Sequence, residues 1–490
     1  MKKSKILACM LATSIAVGGY CTLNSAYAAE ADNTQCILFS DQERPVGPPP
    51  DWKPPMGPPP NGPVPHGAPP NGAPPNGMPG GFGGPERVPE VKYSAATEII
   101  SAANQSDKTY SSDTEEQSAL IISTTDKVNI TNPTVSKTGD SAGRDNCNFY
   151  GQNATVLVKG GTTTTITGGT ITSDAAGANG VFSYGGNGGQ NGADGDGTRV
   201  IIRDTKIVTS GSGSGGIMTT GGGITEAYNL DITTNGQSSA PIRSDRGGGM
   251  VTVDGGTYVS HGLGSPTIYS TADITVSNAT LESTMSEGVC IEGLNSITLN
   301  NCDMTANNTS CNANAKFNDM IMIYQSFSGD ADSGTSFLNV NGGSLTNKNG
   351  HVFHVTNTNA VINLDGVKIV NQDANNVLMS VCDDGWSGAS NIATVNVAHQ
   401  ELDGNILVGE NSQLTLNINA NSTFTGAISG HITNVKGETV SSKVGNVAVS
   451  LDDSSKWILT DDTNISSFKG DISQITANGH SLYVDGIKVL

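Results

Sequence analysis

The sequence is short of rings, of charge and of long apolar runs. Of 490 residues only 3 are tryptophan, 10 phenylalanine and 11 tyrosine, and charged side chains make up 14%. Basic residues number 25 against 45 acidic ones, a net charge of −20, and no basic stripe occurs. That balance argues against nucleic acid and anionic membrane as partners. Beyond residue 28 no apolar run reaches about 18 residues, so no helix is expected to span a bilayer once the leader is gone. Cysteine is sparse too. Cys36, Cys147, Cys290, Cys302, Cys311 and Cys382 follow no zinc-type spacing. Buried thiols are expected, with Cys302 and Cys311 the pair best placed for one local bridge in an oxidising compartment.

What is present starts with a leader. Lys2, Lys3 and Lys5 precede an apolar run from Ile6 to Gly19, and Ala26-Tyr27-Ala28 forms a small-x-small cleavage site. Residues 1–28 therefore read as a secretory signal peptide, and the chain is expected outside the cell or on its surface. Tyr20, where a small residue is needed, speaks against a lipoprotein cysteine at Cys21. Residues 29–90 hold a short head and then a run rich in proline and glycine from Pro45 to Pro89. Proline removes backbone donors and glycine keeps the chain open, so this segment is expected to be a disordered spacer.

The rest is a repeat. Val253-Asp254-Gly255-Gly256-Thr257-Tyr258 returns as Val276-Ser277-Asn278-Ala279-Thr280-Leu281, then as Leu299-Asn300-Asn301-Cys302-Asp303-Met304. The pattern recurs at Ile130-Asn132-Val135, Ile166-Gly168-Ile171, Ile202-Asp204-Ile207, Ala227-Asn229-Ile232, Val340-Gly342-Leu345 and Leu364-Gly366-Ile369. A fixed period of this kind means a stacked array. The middle residue is always Asn, Asp or Gly, the types that accept a left-handed backbone cheaply. Strand, sharp corner, strand is thus predicted, with a third short strand closing each coil, as at Ile242-Arg243-Ser244 and Ile268-Tyr269-Ser270.

Three short strands per coil and a tight Asn/Gly corner resemble the right-handed parallel β-helix, the pectate-lyase-like superfold. The resemblance covers roughly residues 117–490. It implies an all-β solenoid of about twelve coils, with an N-terminal cap over 91–117, the β-helix over 118–430 and closing coils and cap over 431–490. That superfold hosts lyases, hydrolases, adhesins and passive rods, so it implies a fold and not a function.

Two constellations are candidate sites. Insertions at 185–198, 326–335 and 382–390 each follow a third strand, and each carries two carboxylates in a glycine-bearing loop: Asp194 and Asp196, Asp330 and Asp332, Asp383 and Asp384. Calcium takes several oxygens from a flexible backbone, which makes these candidate ligands, although Asp and Gly also serve plain turns. Side chains alternate along a strand. The residue after the leading apolar position of each third strand is therefore expected to face solvent, which gives Phe182, Met218, Arg243, Tyr269, Glu292, Tyr324 and His354, flanked by Tyr184, Asp245 and Trp386. Aromatic and charged groups in one row suit a sugar polymer. The expected function is a monomeric, adhesin-like protein that binds polysaccharide or a surface glycan along this face with help from calcium. The first alternative is a polysaccharide lyase or glycoside hydrolase, for which Arg243, Arg246, Glu292 and His261 would be the catalytic residues, although no complete signature of either enzyme occurs. The second is a structural surface rod.

Overall fold

The computed structural model describes residues 91–187 and 194–490. The leader, the spacer and part of the first insertion lie outside the described residues. The described chain is a parallel β-helix. A coil shows why. Along Asp273–Ser277 burial alternates, with Ile274 and Val276 inside and Thr275 outside. Asn278 then turns at φ 55°, and Thr280–Ser283 sends Leu281 back into the interior. All nine predicted corners have positive φ: Asn132, Gly168, Asp204, Asn229, Gly255, Asn278, Asn301, Gly342 and Gly366. The same bend occurs at Asp107 and His399, one coil beyond the repeat at either end. Gln105 and His399 break the residue pattern there, so the sequence hid them.

Stacking joins these coils into two large sheets. Third strands form a 13-stranded sheet running from Ala95–Ile99 to Ile428–Ser429, and the strands on either side of the corner form a 22-stranded sheet. All pairings within both are parallel. Between the sheets each rung stacks an apolar side chain on its equivalent, as in Val253, Val276, Leu299, Val340 and Leu364. Each such fully buried side chain contributes about 1.5–3 kcal/mol. Outside, amides bind rung to rung. Asn363 Nδ2 donates to Asn339 Oδ1 at 2.8 Å, Asn396 to Asn363 at 2.9 Å, and Asn417 to Asn396 at 2.8 Å.

Two expectations need adjustment. The segment foreseen as an N-terminal cap already contains a whole coil, Ala95–Ile99, Ala103–Ser106 and Thr109–Ser112, and Ala95 pairs with Ser118. Past residue 431, where closing coils and a cap are expected, parallel coil pairings continue. Trp457 stacks on Phe424 at 5.6 Å, and the antiparallel pair Leu482–Val484 and Ile487–Lys488 follows. Cys302 and Cys311 are not bridged. Cys302 Sγ donates to Val276 O within the stack, while Cys311 Sγ donates to Phe317 O on the loop outside it. Burial pushes the Cys311 thiol up to about 11, away from the reactive thiolate.

Candidate functional site

The outer face of the 13-stranded sheet carries the row of residues expected to face solvent. Its register splits that row in two. Phe182 pairs with Met218, Met218 with Arg243, and Arg243 with Tyr269. Tyr269 then pairs with Cys290 and not with Glu292, because Ile268 aligns with Val289. Cys290 continues to Met322 and His354, while Glu292 pairs with Tyr324. From Val289–Glu292 onward the residues named in the row are offset by two, and Glu292 and Tyr324 sit in a parallel row one alternation further along.

Nor is the face open throughout. Helix Arg144–Tyr150 lies over its first coils, closed by Gly151 in the left-handed conformation. Phe149 and Tyr150 pack with Leu157, Phe182, Tyr184 and Met218 into an apolar cluster separate from the main core. Phe182 and Met218 are fully buried in it, so the exposure expected of Phe182 is not found. Burial also pushes the Tyr184 hydroxyl up to about 12. At the other end His354 is fully buried, its ring 5.1 Å from Phe317.

Between these two covers lies a window. Glu292 is buried at its floor and accepts hydrogen bonds from Tyr269 Oη at 2.7 Å, Tyr324 Oη at 3.0 Å and Ser326 Oγ. Both tyrosines keep partial exposure, and Trp386 tilts over Tyr324 with ring centroids 4.9 Å apart. Burial and the adjoining Glu292 carboxylate hold both hydroxyls well above the usual tyrosine range, so each stays a donor. Arg243 pairs with Asp245 at 2.9 Å, and Arg246 with Asp330 at 3.0 Å. The Arg246 guanidinium also stands 4.2 Å over the Phe149 ring. Burial raises the Asp245 carboxyl to about 7, against the pull of Arg243, which lowers it. The window therefore brings together two carboxyl groups in different surroundings, aromatic faces and two guanidinium groups, each paired with an aspartate.

The predicted residues divide. Arg243, Asp245, Tyr269, Glu292, Tyr324 and Trp386 come together, with Arg246 and Asp330 beside them. Phe182, Tyr184 and His354 do not join. His261 is exposed and bonds Thr284 Oγ1 at 3.0 Å, where the second strand ends, away from this face. His354 belongs to a different arrangement. Its Nδ1 lies 2.7 Å from Ser380 Oγ, its Nε2 3.1 Å from Asp384 Oδ2, and His351 Nδ1 is also 2.7 Å from Ser380 Oγ. If Nε2–H donates to Asp384, Nδ1 must accept from Ser380, which then accepts from His351. A serine, a histidine and an aspartate in line suggest a nucleophile, but Ser380 and His354 are fully buried. Asp384 also accepts from the backbone N–H of Lys316 and of Gly385. The arrangement ties the third insertion and the loop before Asp319 onto the sheet.

The paired aspartates are mostly committed elsewhere. Asp196 accepts from Thr198 N–H and Oγ, Asp330 from Arg246 and Ser328, Asp383 from Asn391, and Asp384 from His354. Asp194 and Asp332 are exposed. Among the described residues no group of three or more His, Cys, Asp or Glu side chains is placed to hold a metal ion. Ser326, Phe149 and Tyr150 are the site residues that sequence reasoning missed; the serine opens the second insertion and offers no periodic signal. No protein-family model, curated protein or solved structure matches the chain.

Proposed function

We propose that this chain is a secreted or surface-directed β-helix of the pectate-lyase-like superfold that binds a polysaccharide or surface glycan at the window around Glu292. The observation that carries the reading is the convergence of two tyrosine hydroxyls and a serine hydroxyl on one buried carboxylate beneath a tilted tryptophan. Aromatic faces stack on the apolar C–H face of a sugar ring, while a carboxylate and guanidinium groups take its hydroxyls. The covers at either end confine contact to a few coils, so a short stretch of polymer is gripped and not the full length of the face.

The purified chain, passed over a panel of immobilised polysaccharides with calcium and with chelator, is expected to be retained on at least one of them without releasing sugar. Trp386→Ala or Glu292→Gln should weaken retention roughly tenfold or more, about 1.4 kcal/mol or above. Retention on none of the panel, or retention that ignores both substitutions, sinks the reading.

A second reading rests on Asp245. A carboxyl raised to about 7, two rungs from Glu292 in the register of the sheet, matches the acid half of a glycoside-cleaving pair. Released product, lost in Arg243→Ala or Glu292→Ala, would favour it over binding alone.

A further inference from the structure

The charges at the window do not cancel, and the remainder bears on the kind of sugar it suits. Both guanidinium groups are already paired. Arg243 is buried and donates to Asp245 Oδ2 at 2.9 Å and to Ser238 O at 3.2 Å. Arg246 donates to Asp330 Oδ1 at 3.0 Å and lies over the Phe149 ring. Glu292, in contrast, is met by neutral groups, the hydroxyls of Tyr269, Tyr324 and Ser326. Hydroxyl donors satisfy the lone pairs of a carboxylate but leave its charge uncancelled. A phenol that donates to a carboxylate is polarised by it, which enriches the ring, and ring faces attract cations.

The aromatic surface extends beyond the tyrosines. Trp386 stands at 54° to Tyr324 with ring centroids 4.9 Å apart, so the two rings form the walls of a corner and not a flat stack. Phe327, the residue after Ser326, is 48% exposed and holds φ 58°, a left-handed backbone that a bulky residue seldom adopts. Its ring lies over Gly388, two residues past Trp386, where any side chain would strike it. The second and third insertions thus bring Phe327 and Trp386 to the same edge of the window. An ammonium group gains from the ring faces and from the field of Glu292 together. An acidic sugar finds no unpaired cation there, and a neutral one gains nothing from the charge. Given the glycan reading of the window, on which this assignment rests, we propose that the ligand is a polysaccharide bearing free amino groups, its ammonium seated against Trp386, Tyr324 and Phe327 above Glu292. The net charge of −20 on the chain steers such a polymer inward from a distance.

The test uses the full chain and one polymer in three charge states. A polyhexosamine is immobilised N-acetylated, de-N-acetylated and N-succinylated, in mildly acidic buffer at physiological salt with chelator present. Tightest retention on the deacetylated form is expected. Trp386→Leu and Glu292→Gln should each weaken it roughly tenfold, and Trp386→Phe much less, because a ring face remains. Glu401→Gln, which removes an exposed acid elsewhere, should leave it unchanged. If Glu292→Gln fails to fold by circular dichroism, Trp386→Leu against Trp386→Phe decides. Equal or tighter retention on the acetylated or succinylated form overturns the ammonium assignment and leaves the glycan reading standing. Retention on the deacetylated form that ignores Glu292→Gln and Trp386→Leu is general attraction between a polycation and an acidic chain, and overturns it too. Retention on none of the three overturns it as well, and the glycan reading falls with it only if every other polysaccharide of the panel also fails to hold the chain.

Discussion

Asp245 illustrates how one side chain can couple the window to pH. Its folded carboxyl titrates near 7, above the ordinary value of 3.8, because burial disfavours the ion more than Arg243 favours it. A group raised on folding contributes fully below its unfolded pKa and loses that contribution as pH rises through the folded one. Stability is thus expected to fall between about pH 4 and pH 7, by a few kcal/mol at most, and to level off above. Asp245→Asn should flatten that slope, which thermal melts at closely spaced pH values would register. A slope identical in parent and variant would assign the titration to another group. Asn278 makes a different residue-scale point. Its amide donates to Asp254 Oδ1 at 2.8 Å while its backbone bends at φ 55°. One residue type thus serves both the corner and the rung-to-rung bond.

At the scale of the element, the corner decides where strands begin and end. Asn278→Val places a β-branched residue in the left-handed region, costing about 1–2 kcal/mol, and also removes the bond to Asp254. Asn278→Gly keeps the bend and gives up only the bond, so it is expected to melt above the valine variant. Equal Tm values would mean that the bond, and not the backbone, sets the corner. This is also why so much of the fold was legible. Alternating apolar positions around a residue that must be Asn, Asp or Gly leave a trace in any sequence. The face of the third strand leaves none, because what covers it comes from irregular segments. Helix Arg144–Tyr150 and the loop carrying Phe317 have no period, so the burial of Phe182 and His354 could not be read. The two-residue offset of register at Val289–Glu292 was equally hidden, since Ile291 looks like the partner of Ile268 until Val289 takes that place. Tyr269, Glu292 and Tyr324 still meet, because an offset of two residues stays on the same face of a strand.

For the whole molecule, a stack whose sheet rungs pair only with their neighbours has stability that is roughly a sum of coil terms and interfaces, to which insertion contacts such as Arg246 with Asp330 add ties across several coils. Among the described residues no disulfide adds a covalent tie. The ladder of asparagines from Asn339 to Asn417 and the stacked apolar rungs are repeated operations and not singular ones, so length in this protein is a counted quantity. Val449 pairs with Phe468, and residues 449–467 therefore span one repeat unit. Duplicating them should yield a folded chain one rung of about 4.8 Å longer. Its glycan retention should equal the parent's, because Glu292 lies many coils away; an insoluble or altered product would mean that the end coils are not interchangeable. A lineage carrying such a rod could tune its reach in whole steps, by unequal copying of a few dozen codons, while the chemistry at Glu292 stays as it was.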